Sequence, residues 1–133
     1  MARQLPERRF STRLARFWLP VLLYLGVIFT LSAQPHLRAP IEFVNSDKLY
    51  HLAEYGGLGL LLARALRSMS AAPRRLRLAL VAIGLGIVVG ASDEWFQSTV
   101  PGRESTVYDA VADTLGVALA QWLYWRRVRP AER

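Results

Sequence analysis

Ten side chains in this sequence carry groups able to do chemistry in one place: Asp47, Lys48, His51, Glu54, Asp93, Glu94, Gln97, Arg103, Asp109 and Asp113. Asp93, Glu94, Asp109 and His51 are the types that carry general acid–base or metal-assisted reactions, and we read them as the candidate catalytic set. Arg103 and Lys48 suit an anionic group. With Asp47, Gln97, Asp113 and Glu54 they form the candidate substrate-binding set. Among these, six acids face two permanent cations, so not every carboxylate has a private partner. Three arrangements balance that excess: protonation of some acids, sharing of Arg103, or a cationic ligand from outside the chain. A carboxylate–histidine set without cysteine suits a divalent ion. No recognised metal-spacing motif is present, which leaves metal and cofactor undetermined.

Helical spacing brings these residues together. Gly86, Gly90, Asp93 and Gln97 are spaced 4, 3, 4, as are Asp109, Asp113, Gly116 and Ala120. Each set shares one face of a helix. Asp47, His51, Glu54 and Leu58 follow a similar spacing, with Tyr50 and Tyr55 adjacent. Gly86 with Gly90, and Gly116 with Ala120, are small-xxx-small pairs that let backbones approach. Measured along the helix, Glu54 lies ~15 Å from Arg64, Asp113 ~20 Å from Arg126 and Asp93 ~24 Å from Arg77, a similar level in a ~30 Å hydrocarbon layer. A carboxylate facing lipid there costs a few kcal/mol, so these acids are expected to face one another or a wet cavity. Ser32 and Gln34 lie at a similar depth.

The elements that must position them are four apolar windows: roughly 17–33, 45–66, 75–97 and 105–126. Pro20 is expected in the first turn of the first helix. Gln34-Pro35 stops that helix, and Pro40 keeps the next loop extended. Asn45-Ser46-Asp47 offers N-cap chemistry for the second, residues 68–73 make a turn, and Val100-Pro101-Gly102 is a turn signal. Trp18, Trp95, Trp122 and Trp125 fall near window ends, as in an aromatic belt. Fourteen of the seventeen basic residues group at the amino terminus (Arg3, Arg8, Arg9, Arg13, Arg16), around 64–77 (Arg64, Arg67, Arg74, Arg75, Arg77) and at the carboxyl end (Arg126, Arg127, Arg129, Arg133). Most acids crowd the other two loops. Cytoplasmic loops are enriched in Lys and Arg. The expected architecture is therefore an all-α, polytopic four-helix transmembrane bundle with both termini cytoplasmic and loops 34–48 and 98–105 outward. Its parts are a basic segment 1–16, a transmembrane domain 17–126 and a basic tail 127–133.

With 133 residues, 53% hydrophobic, the chain suits one domain, and its lack of cysteine excludes disulfides, thiolate metal sites and cysteine nucleophiles. A formal charge of +7 invites nucleic acid, but the arginines flank apolar windows, where attraction to anionic lipid headgroups accounts for them better. We expect lipid-bilayer contact and no nucleic-acid partner. The first window is longer than a signal-peptide core, so it reads as a retained helix. Plainer readings stand beside the functional ones. The polar residues can simply lock helix register. Glu94, about 100° around the helix from Asp93, can lie among headgroups. Asp47 can offset the helix dipole, Lys48 can snorkel, and Arg103 can be a solvated loop residue.

The segments Leu31-Ser32-Ala33-Gln34-Pro35, Asp47-Lys48-Leu49-Tyr50-His51 with Tyr55 and Gly59, Ser92-Asp93-Glu94-Trp95-Phe96-Gln97, Val100-Pro101-Gly102-Arg103 and Asp109 through Gly116 together resemble the VanZ-like family of bacterial integral membrane proteins. They cover about residues 30–120. The combination of D-K-x-x-H with D-E-x-x-Q, P-G-R and a following Asp is specific where any single piece is not. One departure is Asp113, where the family pattern commonly shows Asn. The resemblance implies a small multi-pass protein of the bacterial cytoplasmic (inner) membrane, in a family named for a member linked to teicoplanin resistance. It carries over Asp47, Lys48, His51, Asp93, Glu94, Gln97, Arg103 and Asp109 as site positions. Three functions follow as expectations. The first is an outward-facing site that binds or modifies an envelope component, such as a lipid-linked or peptidoglycan-related molecule. The second is a non-enzymatic membrane scaffold or stress-response subunit. The third is an ion or small-solute carrier, which a homo-oligomer would favour.

Overall fold

A computed structural model describes residues 6–35, 41, 44–70 and 74–128, with side chains from Thr12 onward. Expectations for residues 1–5, Pro40, Glu42, Pro73 and 129–133 lie outside the described residues. The described chain is four α-helices without a strand: α1 (Pro6–Ser32), α2 (Ser46–Met69), α3 (Arg75–Ser98) and α4 (Val107–Arg127).

The helix boundaries differ from the sequence expectation in two informative places. α1 begins at Pro6, not near Phe17. Pro fits a first helical position because its missing N–H has no intrahelical partner there, and no breaker separates it from Phe17. Pro20 consequently lies in the helix interior instead of the first turn, where it leaves the Arg16 carbonyl without its usual amide donor. At α2 the expected side-chain cap is not made. Asn45 instead adopts the left-handed conformation (φ 63°) and turns the chain into the helix. Asn tolerates that region better than most residues.

α2 and α3 touch each other and separate α1 from α4, and the tightest pairing is α2 on α4. Small residues make that pairing close. A Cβ on Gly59 would stand 2.9 Å from the Val117 Cα, and one on Gly116 would run into the Leu52 carbonyl. The apolar core built around this crossing is small: Val21, Ile28, Tyr55, Leu58, Leu62, Ala65, Ala82 and Val117. Arg75, at the start of α3, donates to the carbonyls of Val128 (2.9 Å) and Trp125 (3.4 Å), satisfying groups that the end of α4 leaves free.

Two helices are long and apolar enough to cross a membrane, Thr12–Ser32 and Arg75–Ser98. α2 and α4 fall short because of the polar side chains they carry, which on α4 (Asp109, Asp113, Gln121) are buried and on α2 include the half-buried His51 and Glu54 and the exposed Asp47, Arg64 and Arg67. The outward face of α4 is apolar, with Val111, Leu115, Leu119 and Trp122 exposed along it. Trp18 donates to the Met69 sulfur at 3.0 Å, and Trp95 is exposed. Trp125 departs from the expected belt: it is buried, its indole N–H directed to Gln121 Oε1 at 3.3 Å.

Candidate functional site

The two 4, 3, 4 stripes face inward as their spacing requires. Gly86, Gly90, Asp93 and Gln97 of α3 and Asp109, Asp113, Gly116 and Ala120 of α4 are all buried. On α2 the buried line runs through Tyr55, Leu58 and Leu62, with His51 half-buried at its head. Glu54 lies on the flank of that line, so Tyr55 takes the inward place that the sequence assigned to Glu54. The result is a polar pocket between α2, α3 and α4 at the end of the bundle that holds the α3–α4 turn. Asp93 and Asp113 are fully buried there, and Glu94 is 8% exposed.

Each of those three carboxylates has one oxygen held by a donor from another part of the chain. Asp93 Oδ2 accepts from the Tyr55 hydroxyl at 3.3 Å and from Gln97 Nε2 at 3.2 Å. Gln97 also donates to Ser32 Oγ at 3.2 Å, which ties α1 into the network. Asp113 Oδ1 lies 2.9 Å from His51 Nδ1, and the ring proton belongs on Nδ1 when that carboxylate is ionised. Glu94 Oε2 accepts from Ser105 Oγ at 2.6 Å, and its Oε1 lies 3.9 Å from His51 Nδ1. Glu94 thus belongs to the buried acidic cluster, because the 101–106 connection folds back over it and brings Ser105 to its carboxylate.

That connection is built by its own chemistry. Pro101 and Gly102 occupy the centre of a turn closed by the Arg103 N–H to Val100 carbonyl bond at 3.2 Å. Gly102 has φ 79°, the value that a type II turn demands and that glycine supplies without strain. Four residues after that turn α4 begins. Asp109 Oδ2 accepts from the Thr106 hydroxyl at 2.7 Å and from the Thr106 N–H at 3.2 Å, the reach-back of a capping box. Its other oxygen lies 3.4 Å from Lys48 Nζ. Asp109 is therefore engaged on both oxygens and starts the helix that carries Asp113.

The remaining expected residues sit at the rim. Lys48 does not snorkel freely: it bridges Asp47 at 2.7 Å and Asp109 at 3.4 Å. Asp47 itself is exposed and, among the described residues, its carboxylate meets Lys48 alone, so it stands outside the buried cluster. Glu54 has a buried Oε1 without a hydrogen-bond partner among the described residues, and so does Arg103 at Nε. No described carboxylate lies within 4.0 Å of the Arg103 guanidinium, so the acids are not balanced by sharing it. Ser105 and Thr106 were read from sequence only as a helix start. Their side chains anchor Glu94 and Asp109, a pairing across eleven residues in the first case that helical periodicity does not reveal.

Three donors of one hard type, Asp93, Glu94 and Asp113, come within 4.8 Å of one another, a set that fits a divalent cation. His51, Glu94 and Asp109 also converge within that limit, but both Asp109 oxygens already have donors.

The family model described as VanZ/LLP1 matches residues 9–128 of the chain. No curated protein and no solved structure matches it.

Proposed function

We propose, for a chain that belongs to the VanZ/LLP1 family, that all four helices span the bacterial cytoplasmic membrane and that the pocket opens at the outer face to bind an anionic, lipid-linked or peptidoglycan-related envelope component. Family membership together with two apolar helices makes this a membrane protein. Four spans are supported by the exposed apolar side chains of α4 (Val111, Leu115, Leu119, Trp122) and of α2 (Leu49, Leu60), while the acids of α4 are hidden inside the bundle. The orientation rests on the arginine bias around 64–77 and at the carboxyl end, which assigns those segments to the cytoplasm.

The observation that carries the ligand reading is Arg103. It stands half-buried on a rigid Pro-Gly turn at the pocket's end of the bundle, with its Nε out of solvent and without an acceptor among the described residues. A guanidinium in that state is a fork for phosphate or carboxylate, worth more in a partly dry setting than in water. Lys48, tied to two aspartates, is the weaker candidate. A phosphate-bearing lipid headgroup matches the expected depth, the sign of the charge and the wet rim. A glycopeptide-resistance role is one consequence of altering such a component.

Gentle extraction followed by native mass spectrometry tests this. The protein is expected to retain a phosphate-bearing lipid that Arg103→Ala loses by at least tenfold, the scale of one charge-assisted pair. Bare protein, or equal retention by the variant, overturns the reading. Because the chain has no cysteine, Arg74→Cys and Glu104→Cys can report topology directly. A membrane-impermeant maleimide should label the second in intact cells and the first only after permeabilisation.

A further inference from the structure

We infer that Asp93, Glu94 and Asp113 form a binding site for one hard divalent cation of the magnesium, manganese or calcium class. The inference goes beyond the envelope-ligand reading and does not require it.

The unpaired oxygens point to a ligand. Asp93 Oδ1, Glu94 Oε1 and Asp113 Oδ2 are all shielded from solvent and accept no hydrogen bond among the described residues. The opposite oxygen of each carboxylate is fixed by Tyr55 and Gln97, by Ser105 and by His51 respectively. One oxygen per residue is thus oriented by a protein donor while the other is left without one, as in metal sites whose ligating carboxylates are held by hydrogen bonds behind them. Asp93 and Asp113 are fully buried, His51 is the one basic group within ion-pair range of the three acids among the described residues, and a buried ionised oxygen left over beyond that pairing is costly. A second observation concerns space. A Cβ on Gly90 would stand 3.1 Å from Asp113 Oδ2, so the glycine keeps a side chain away from one of the unpaired oxygens.

Distance and chemistry agree on the class of ion. One oxygen from each residue lies within 4.8 Å of the others, a span bridged by ligand bonds of about 2.0–2.5 Å. Three carboxylates without thiolate select a hard cation over a soft one. His51, already bonded to Asp113, acts as a positioning residue.

The probe is Mn²⁺ alone, added to the EDTA-stripped full chain in detergent, with uptake read as loss of the free-ion electron paramagnetic resonance signal. One Mn²⁺ per chain is expected, displaced by excess Mg²⁺ or Ca²⁺. Asp93→Asn and Asp113→Asn should each weaken uptake by at least about tenfold, and Tyr55→Phe by roughly tenfold, while Glu104→Gln, on the exposed turn, changes it by less than about threefold. Circular dichroism checks that each variant is helical. Should neither aspartate variant fold, Glu94→Gln at the pocket's edge must show the same loss. Folded wild-type protein that leaves the Mn²⁺ signal unchanged overturns the inference, as do amide variants that bind like the parent. The assay contains no envelope lipid, so its failure leaves the Arg103 reading standing, and failure of lipid retention leaves this one standing.

Discussion

Two buried polar centres lie on the same face of α4, one on each side of Gly116, and they differ in one respect. At Gln121 the amide donates to the Gly59 carbonyl at 2.7 Å and accepts from the Trp125 indole at 3.3 Å. Each of its polar atoms has a partner. At Asp113 one oxygen meets His51 and the other meets no donor among the described residues, and Asp93 and Glu94 likewise have one oxygen held and one without a donor there. Burying a polar group costs little once it is paired and much when it is not. A satisfied amide therefore fixes how α2 sits on α4. A cluster of carboxylates with oxygens left over is the costlier arrangement until a proton or a cation meets it, and that is the end of the bundle where we propose function.

The change that breaks both centres at once is the largest. Gly116 sits against the Leu52 carbonyl and 2.9 Å, at its virtual Cβ, from the Gly56 nitrogen. Gly116→Leu cannot be absorbed by a side-chain shift, because the obstacles are backbone. It should push α2 off α4 and cost upwards of about 3 kcal/mol, the upper range of overpacking. Thermal unfolding in detergent by circular dichroism is the measurement. A near-normal Tm would mean that the two centres do not depend on a common crossing.

A pair of variants separates the centres. Gln121→Leu strands the Trp125 indole N–H and removes the inter-helix bond to the Gly59 carbonyl, and should lose about 1–3 kcal/mol of stability while leaving Mn²⁺ uptake intact. Asp113→Asn should behave in the opposite way. In EDTA it should be at least as stable as the parent, by up to about 1 kcal/mol, because an amide N–H replaces an oxygen that lacks a donor and can serve the orphaned acids beside it. It should also lose the stabilisation that Mn²⁺ gives the parent. Equal destabilisation by both variants would erase the distinction between them.

Much of this arrangement was legible before any coordinates. The spacing of Asp93 with Gly90 and of Asp113 with Gly116 puts acids and close-packing glycines on common faces, and both faces are buried as the period demands. Periodicity failed where the constraint is not helical. On α2 the difference between Glu54 and Tyr55 is about 100°, too little for a short polar run to resolve, and the fold chose the tyrosine. Glu94 was ambiguous for the same reason, and its place was decided by Ser105 on a connection whose path a period does not predict. The start of α1 was missed because arginine is a good helix former, so a charged segment continued the helix instead of ending it. α2 and α4 have lower hydropathy than α1 and α3 in part because hydropathy averages over the whole circumference, buried acids such as Asp109 and Asp113 included.

The smallest effect belongs to the rim, and it sharpens where the pocket stops. Asp47 is joined to the site residues by the D-K-x-x-H resemblance, yet its side chain is 58% exposed and, among the described residues, reaches Lys48 alone. An exposed ion pair contributes about 0–1 kcal/mol, and Lys48 keeps Asp109 as a second partner 3.4 Å away when Asp47 is removed. Asp47→Ala should therefore shift stability by no more than about 0.5 kcal/mol and leave Mn²⁺ uptake at the parent level. If the same variant abolishes lipid retention while the fold and Mn²⁺ binding survive, the Asp47–Lys48 pair contacts the incoming headgroup directly. The boundary of the site then moves outward from the buried carboxylates to include the first turn of α2.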